Sequence, residues 1–119
     1  MTPENRIKNL QELSTLDRQS MCMQFLLLLN LCDKKLAPKE IGYYTLGEKT
    51  YFDSKTMKEQ LSKSSLANAH KGLYALYQAN FIERLVIDKN GEISNGDNYQ
   101  RNTAMIYWRL AEKARSLLD

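Results

Sequence analysis

The sequence contains little of the chemistry that metal sites and most catalytic sites require. It has one histidine, His70, and two cysteines, Cys22 and Cys32, among 119 residues. Protein zinc sites usually draw on close pairs of cysteines together with histidines. No CxxC pair, HExxH motif or glycine-rich phosphate loop is present. We therefore expect no metal, no cofactor and no enzymatic activity, and we interpret both cysteines as buried, reduced thiols of a cytoplasmic protein.

Long apolar runs are also absent. The most apolar stretch, residues 21–31, is interrupted by Gln24 and Asn30. A membrane-spanning helix needs about 20 consecutive apolar residues, so this stretch predicts a buried helix and no membrane association. The polar start, MTPENRIKNL, predicts no signal peptide. The length predicts a single domain, 1–119, that is large enough to bury a core.

The first helix is predicted at residues 3–13. Thr2 can cap this helix, and Pro3 suits its first turn. Three apolar side chains fall on one stripe of the helix: Ile7, Leu10 and Leu13. Because a stripe at one end of the chain needs something to cover it, we predict that this helix and the last helix form a homodimer interface.

A second helix is predicted to run to about Cys32, so that the N-terminal helices occupy residues 1–33. Ser14 or Thr15 can cap it, and Asp17 stands where a capping box has its acidic residue. The helix is apolar nearly all round, which is typical of a central core helix.

Residues 43–52 are rich in β-forming residues around Gly47 and form either a small hairpin or one short strand. Asp53 or Ser54 then caps a short helix over residues 54–63. Two apolar side chains of this helix point inward: Met57 and Leu61.

A further helix, capped by Ser64 or Ser65, is predicted to end at about Ala79. Asn80 follows, and asparagine tolerates the left-handed conformation that ends helices. The inward stripe has helical spacing and consists of Leu66, Ala69, Leu73 and Leu76. Together, residues 53–80 predict a helix-turn-helix.

The last third of the chain predicts a two-stranded ribbon and a short helix. Residues 81–88 and 103–110 have the composition of strands, and the sequences KNG and SNGDN between them are turn signals. The ribbon, with its loop, occupies residues 81–110, and residues 111–119 form the C-terminal helix.

Positive charge is concentrated around the predicted helix-turn-helix. Residues 54–90 hold six basic and three acidic residues, whereas residues 1–53 and 91–119 are each balanced. The basic residues are Lys55, Lys58, Lys63, Lys71, Arg84 and Lys89. A local positive excess is what a phosphate-binding surface needs.

The stretch TMKEQLSKSSLANAHKGLYALYQANFIERL resembles the helix-turn-helix of winged-helix transcription regulators of the MarR-like and related kinds. The stretch YWRLAEKARSLL resembles their second wing strand and the helix that follows it. The resemblance covers roughly residues 52–118. It implies an α+β, mostly helical fold: a winged helix-turn-helix with an N-terminal helical extension and a two-stranded wing. It also implies sequence-specific binding of double-stranded DNA as a transcriptional regulator.

In such proteins the recognition helix, here about residues 65–79, enters the major groove with its outward side chains. On a helical wheel, four side chains lie together opposite the leucine stripe, with Asn68 and His70 flanking them: Ala67, Lys71, Tyr74 and Gln78. Lysine and histidine can donate to guanine or phosphate, asparagine can pair with adenine, and alanine permits close approach. Around the helix start and in the wing, five further residues complete the predicted DNA-binding set: Lys63, Ser64, Ser65, Lys89 and Arg101.

Other interpretations stay open at this point. The polar side of the helix is also typical of an ordinary solvated face, and Tyr74 can pack under the wing instead. The wing carries three acidic residues beside Lys89 and Arg101. Winged helices also serve as protein–protein interaction modules, and a weakly charged wing suits a subunit of a replication or transcription assembly, or a phage or plasmid accessory protein, that does not bind DNA.

Overall fold

A computed structural model describes residues 2–61, 65–94 and 103–118 of the chain. Within these residues the fold is α+β, as predicted. The helices are α1 (Pro3–Ser14), α2 (Gln19–Asp33), α3 (Ser54–Glu59), α4 (Leu66–Gln78) and α5 (Glu112–Leu118). The strands are β1 (Tyr43–Leu46), β2 (Lys49–Asp53), β3 (Ile82–Ile87), β4 (Ile93–Ser94) and β5 (Met105–Leu110). No helix among the described residues is long and apolar enough to cross a membrane.

The strands form one antiparallel sheet in the order β1-β2-β5-β3-β4. Strand β5 is central and pairs with β3 from Ile82↔Leu110 to Ile87↔Met105. On its other side, β5 pairs with β2 at Phe52↔Trp108 and Asp53↔Tyr107. The predicted pairing of the two strands that follow α4 is therefore present. These strands are part of a wider sheet, and the short β4 also pairs with β3, because the Asp88–Gly91 turn folds the chain back at once.

The sequence left two alternatives for residues 43–52, a small hairpin or one short strand. The structure has the hairpin. Strands β1 and β2 pair from Tyr43↔Phe52 to Leu46↔Lys49, which leaves a two-residue turn. Gly47, the first turn residue, has φ 62°, a backbone conformation that glycine adopts at little cost. Glycine at the first central position is what a type II′ hairpin turn requires.

The helices cover one face of the sheet and build the main core with it. Alternate residues of β3 and β5 point into this core, including Val86, Ile106 and Trp108. The other face carries a second, smaller cluster: Tyr51, Leu85, Ile87 and Tyr107. Antiparallel sheets commonly alternate apolar and polar side chains, whereas this sheet has apolar residues on both faces.

Helix α2 is the central helix of the core, as its composition predicted. Its buried side chains include Phe25 and Leu29, at 1% and 0% exposure. Cys22 and Cys32 are free and buried, also as predicted, and burial raises the pKa of each thiol to about 11. Helix α4 packs against α2 at Gly72, where an added Cβ would lie 3.1 Å from the side chain of Met21.

Three local expectations are wrong. Helix α2 does not begin at Ser14 or Thr15, since both hydroxyls donate to carbonyls at the end of α1, and α2 follows Arg18 in a left-handed conformation without a side-chain cap. Helix α3 ends at Glu59, four residues before the predicted end. Leu66 was placed in the inward stripe of α4, but it is 36% exposed because it is the first residue of the helix and lies beyond the edge of the core.

Candidate nucleic-acid interface

Helix α4 begins and ends with the signals that the sequence carries. The Ser65 hydroxyl accepts a hydrogen bond from the backbone N–H of Asn68 at 3.2 Å, so Ser65 is the N-cap. At the other end, Asn80 has φ 65° and the Phe81 N–H donates to the carbonyl of Leu76 at 2.9 Å. This is the hydrogen bond of a Schellman motif, and it ends the helix. The length and the termini of α4 are therefore fixed by local chemistry.

The buried stripe of α4 decides which side chains face outward. Ala69, Leu73 and Leu76 are at most 1% exposed, which confirms three of the four predicted inward residues. The opposite face is exposed and has the spacing i, i+4, i+7, i+11: Ala67, Lys71, Tyr74 and Gln78. The predicted outward face therefore exists as a continuous surface that runs the length of the helix.

Two tyrosines of α4 have different environments. Tyr77 makes an edge contact with Trp108 on β5, with ring centroids 6.0 Å apart, and the guanidinium of Arg84 on β3 lies 4.4 Å from the centre of the Tyr77 ring. Tyr74 is 38% exposed and touches the outer side of Tyr77, with centroids 5.9 Å apart. The sequence left open that Tyr74 packs under the wing. In the structure Tyr77 packs against the strands instead, and Tyr74 belongs to the outward face.

The charge of this region is modest and positive. Lys71 is the only charged residue of α4. Lys55 on α3 and Lys89 in the β3–β4 turn are also exposed. Arg84 lies on the helix side of the sheet, where it contacts Tyr77. An exposed face with few charges binds phosphate only through a small number of contacts, so any affinity for nucleic acid should be moderate.

His70 lies on the border of the outward face, and its ring is directed inward. Its Nε2 lies 3.1 Å from the hydroxyl oxygen of Ser54, the first residue of α3. The Ser54 hydroxyl in turn donates to the carbonyl oxygen of Ile106 on β5 at 3.0 Å. Because Ser54 has one hydroxyl proton and gives it to Ile106, His70 Nε2 is the donor of the first hydrogen bond.

The remaining predicted residues are divided between the described and the undescribed parts of the chain. Asn68 is half-buried beside the N-cap, and Lys89 occupies a turn in which the Asp88 carboxylate accepts from the N–H groups of Asn90 and Glu92, both at 2.9 Å. Lys63, Ser64 and Arg101 lie outside the described residues. The structure therefore brings together four predicted contact residues on α4 and places Lys89 in a separate turn.

Two contacts of the site were missed by sequence reasoning: the Ser54–His70 hydrogen bond and the Arg84–Tyr77 contact. Ser54 was considered only as a helix cap, Arg84 only as part of the local positive charge, and Tyr77 was not considered. Each of these four residues lies 16 or fewer positions from its partner in the sequence. No spacing rule, however, connects the end of a strand to the side of a later helix. The one available signal was Ser54, a polar residue directly after the buried end of a strand.

A cleft lies apart from the outward face of α4, at the C-terminal end of α2 and beside the β1–β2 hairpin and α5. This cleft has a volume of about 410 Å³. Its charged lining residues have both signs: Asp33, Lys35, Glu48, Arg109 and Arg115. Asp33 and Arg115 are paired with each other at 2.9 Å. The lining thus favours no particular class of ligand. In the described parts of the chain, no group of three or more His, Cys, Asp or Glu side chains could hold a metal ion.

In comparisons with known proteins, no family model, no curated protein and no solved structure matches this chain. The function must therefore be argued from the fold and from the chemistry of the outward face of α4.

Proposed function

We propose that the protein is a winged helix-turn-helix transcriptional regulator that binds double-stranded DNA with α4 in the major groove. The order of elements supports this fold. Helices α3 and α4 follow each other closely and are succeeded by the antiparallel pair β3 and β5, while β2, which precedes α3, closes the sheet on β5. In the proposed fold the wing is built on the pair of β3 and β5.

The observation that carries the proposal is the outward face of α4. A recognition helix needs a solvent-facing side with donors for bases and phosphates and without bulky acidic groups. The face of Ala67, Lys71, Tyr74 and Gln78 has a cation, an amide and a phenol beside one small residue, and α4 contains no acidic residue. The N-terminus of α4, which begins after its N-cap Ser65, adds a place for a phosphate oxygen.

The proposal includes a homodimer that forms through α1 and α5. Helix α1 is attached to α5 by two polar contacts: Arg6 donates to the carbonyl of Leu117 at 3.3 Å, and Glu12 pairs with Lys113 at 3.0 Å. Ile7 and Leu10 stay 57% and 48% exposed in this arrangement. A second copy would cover these apolar side chains, and a two-fold dimer would present two recognition helices to a palindromic site.

One observation favours a different function. On the sheet face without helices, four apolar side chains beside the second cluster are at least 36% exposed: Tyr44, Leu46, Ile93 and Met105. Exposed apolar patches mark interaction surfaces. A winged-helix protein–protein interaction module that does not bind DNA is therefore the second candidate.

Salt dependence distinguishes the two candidates. Random-sequence duplex DNA should bind at low salt, and a log–log plot of affinity against salt should fall with a slope of about −0.9 for each phosphate contacted. Lys71→Ala should weaken binding by about 1–3 kcal/mol if Lys71 contacts guanine, or lower the slope by about one unit if it contacts phosphate. Lys39→Ala, which removes the same charge from the exposed connection between α2 and β1, is the matched control and should leave binding unchanged.

Fluorescence anisotropy of labelled duplex at three salt concentrations measures all of these quantities. Absence of binding at the lowest salt concentration would refute the DNA-binding proposal and favour the interaction module. Equal losses for Lys71→Ala and Lys39→Ala would show that the outward face of α4 is not the contact surface.

A further inference from the structure

Two contacts fasten α4 to strand β5, and both lie on one side of the helix. His70 reaches the carbonyl of Ile106 through Ser54, and Tyr77 meets the ring of Trp108. His70 and Tyr77 are seven residues apart, two helical turns or about 10 Å along the axis. Ile106 and Trp108 are alternate residues of β5 and point to the same face of the sheet. The direction of α4 across the ribbon is therefore set at two points.

Of these two contacts, the one made by His70 is polar and the one made by Tyr77 is aromatic. The polar contact is shielded from solvent. Ser54 is 3% exposed and is the next position in the β2–β5 register, after Phe52↔Trp108 and Asp53↔Tyr107. Its side-chain hydroxyl donates to Ile106 at the point where the strand turns into α3 and the backbone ladder ends. The same oxygen accepts from His70, so one hydroxyl joins β5, α3 and the recognition helix α4.

We propose that His70 is a positioning residue: through Ser54 it holds α4 at the angle to β5 at which the outward face fits the major groove. This inference rests on the proposed function. It assigns His70 a role different from a direct contact with guanine or phosphate. Ser54 takes part in the same role although it is enclosed and cannot touch DNA itself.

Protonation of His70 does not break the contact. The hydrogen bond uses the Nε2 proton, which is present in the neutral Nε2–H tautomer and in the imidazolium form alike. The replacement of His70 therefore tests the contact more directly than a change of pH.

The test compares four single variants and the double variant His70→Phe, Ser54→Ala in DNA binding, at a temperature at which circular dichroism shows each of them folded. His70→Phe keeps an aromatic ring and removes the donor, Ser54→Ala removes the shared hydroxyl, and His70→Gln keeps an N–H donor near the Nε2 position. The matched control is Thr56→Val, which removes another α3 hydroxyl, one that accepts from the Gly42 N–H at 2.8 Å and donates to the Asp53 carbonyl at 3.4 Å.

His70→Phe and Ser54→Ala should each weaken binding of duplex DNA by about tenfold. The double variant should bind no more weakly than either single variant, because both remove the same contact. His70→Gln should recover most of the affinity, and Thr56→Val should lower thermal stability without changing the affinity of the folded protein.

The opposite results are equally clear. If Ser54→Ala binds DNA like the unmodified protein while His70→Phe binds weakly, His70 touches DNA directly and the inference is wrong. If neither variant changes affinity, the contact has no part in binding, which also overturns the inference. If the unmodified protein does not bind DNA, the proposed function itself fails and takes the inference with it.

Discussion

At the scale of single residues, position within α4 matters more than hydrophobicity. Leu66 and Leu73 belong to the same predicted stripe, but Leu66 is 36% exposed and Leu73 is fully buried. The difference arises because a stripe is only buried where another element lies over it. The first turn of α4 extends past the core, whereas Leu73 lies one residue from Gly72, where α4 meets α2.

This difference predicts unequal costs for the same substitution. Leu73→Ala should lower the free energy of unfolding by about 2–5 kcal/mol, because it removes buried methyl groups and leaves a cavity. Leu66→Ala should cost less than about 1 kcal/mol. Urea unfolding followed by the fluorescence of Trp108, the only tryptophan, measures both. Equal costs for the two variants would show that the stripe is buried along its whole length.

His70 illustrates a second limit of reasoning from single residues. Its spacing places it beside the outward face, and its side chain is chemically suited to contact DNA. Its actual partner, Ser54, lies 16 residues earlier at the end of a strand. A half-buried ring takes the nearest enclosed hydrogen-bond partner, and that partner depends on how β2, α3 and α4 pack together.

At the scale of elements, the helix ends show how local chemistry sets boundaries. Arg18, Lys35 and Asn80 have φ between 56° and 65° and lie next to helix ends. Asparagine tolerates this left-handed conformation, whereas for lysine and arginine it is strained. At the end of α2, Lys35 permits the Leu36 N–H to donate to the Leu31 carbonyl at 2.9 Å, so the turn is retained despite the strain.

Glycine should therefore stabilise the end of α2. Lys35→Gly should raise the free energy of unfolding by about 0.5–1 kcal/mol, since relief of left-handed strain exceeds the added entropy of the unfolded chain. Lys34→Gly, where φ is −87°, is the matched control and should lower stability. Thermal unfolding of the two variants provides the comparison. A stabilising effect of both would point to charge removal as the cause, and a destabilising effect of Lys35→Gly would show that the backbone at Lys35 is not strained.

At the scale of the whole molecule, the apolar surface is not fully covered. The apolar stripe of α1 is only partly buried. Leu13 is 6% exposed and packs in the core, whereas Ile7 and Leu10 are exposed to solvent. Helix α1 packs on α5 through polar groups at either end of this stripe. The exposed middle of α1 is consistent with the proposed dimer, which needs an apolar surface that the monomer leaves free.

The dimer predicts a definite change in assembly. The unmodified protein should sediment as a dimer at micromolar concentration, and the double variant Ile7→Ser, Leu10→Ser should sediment as a folded monomer. Leu36→Ser is a suitable control, because Leu36 is 69% exposed and lies beyond the end of α2. A monodisperse monomer for the unmodified protein in sedimentation equilibrium would contradict the proposed interface.

The sequence by itself determined much of the local structure. Apolar spacing located α1, α2 and α4, and Asn80 marked the end of α4. For the starts of α3 and α4 the sequence offered Asp53 or Ser54 and Ser64 or Ser65, and the N-caps are Asp53 and Ser65. These features depend on neighbours within about four residues, so a single stretch contains their causes. The burial of Cys22 and Cys32 followed in the same way from the apolar character of α2.

Only the tertiary structure decided which surfaces are covered and what each polar group contacts. It joined the β1–β2 hairpin to β5, left Ile7 and Leu10 of α1 exposed, and turned His70 toward Ser54. These outcomes depend on residues far apart in the chain, whose meeting is set by sheet register and helix packing together. The physical reason is that periodicity specifies which face of an element is apolar, whereas burial requires a second element whose position no local pattern contains.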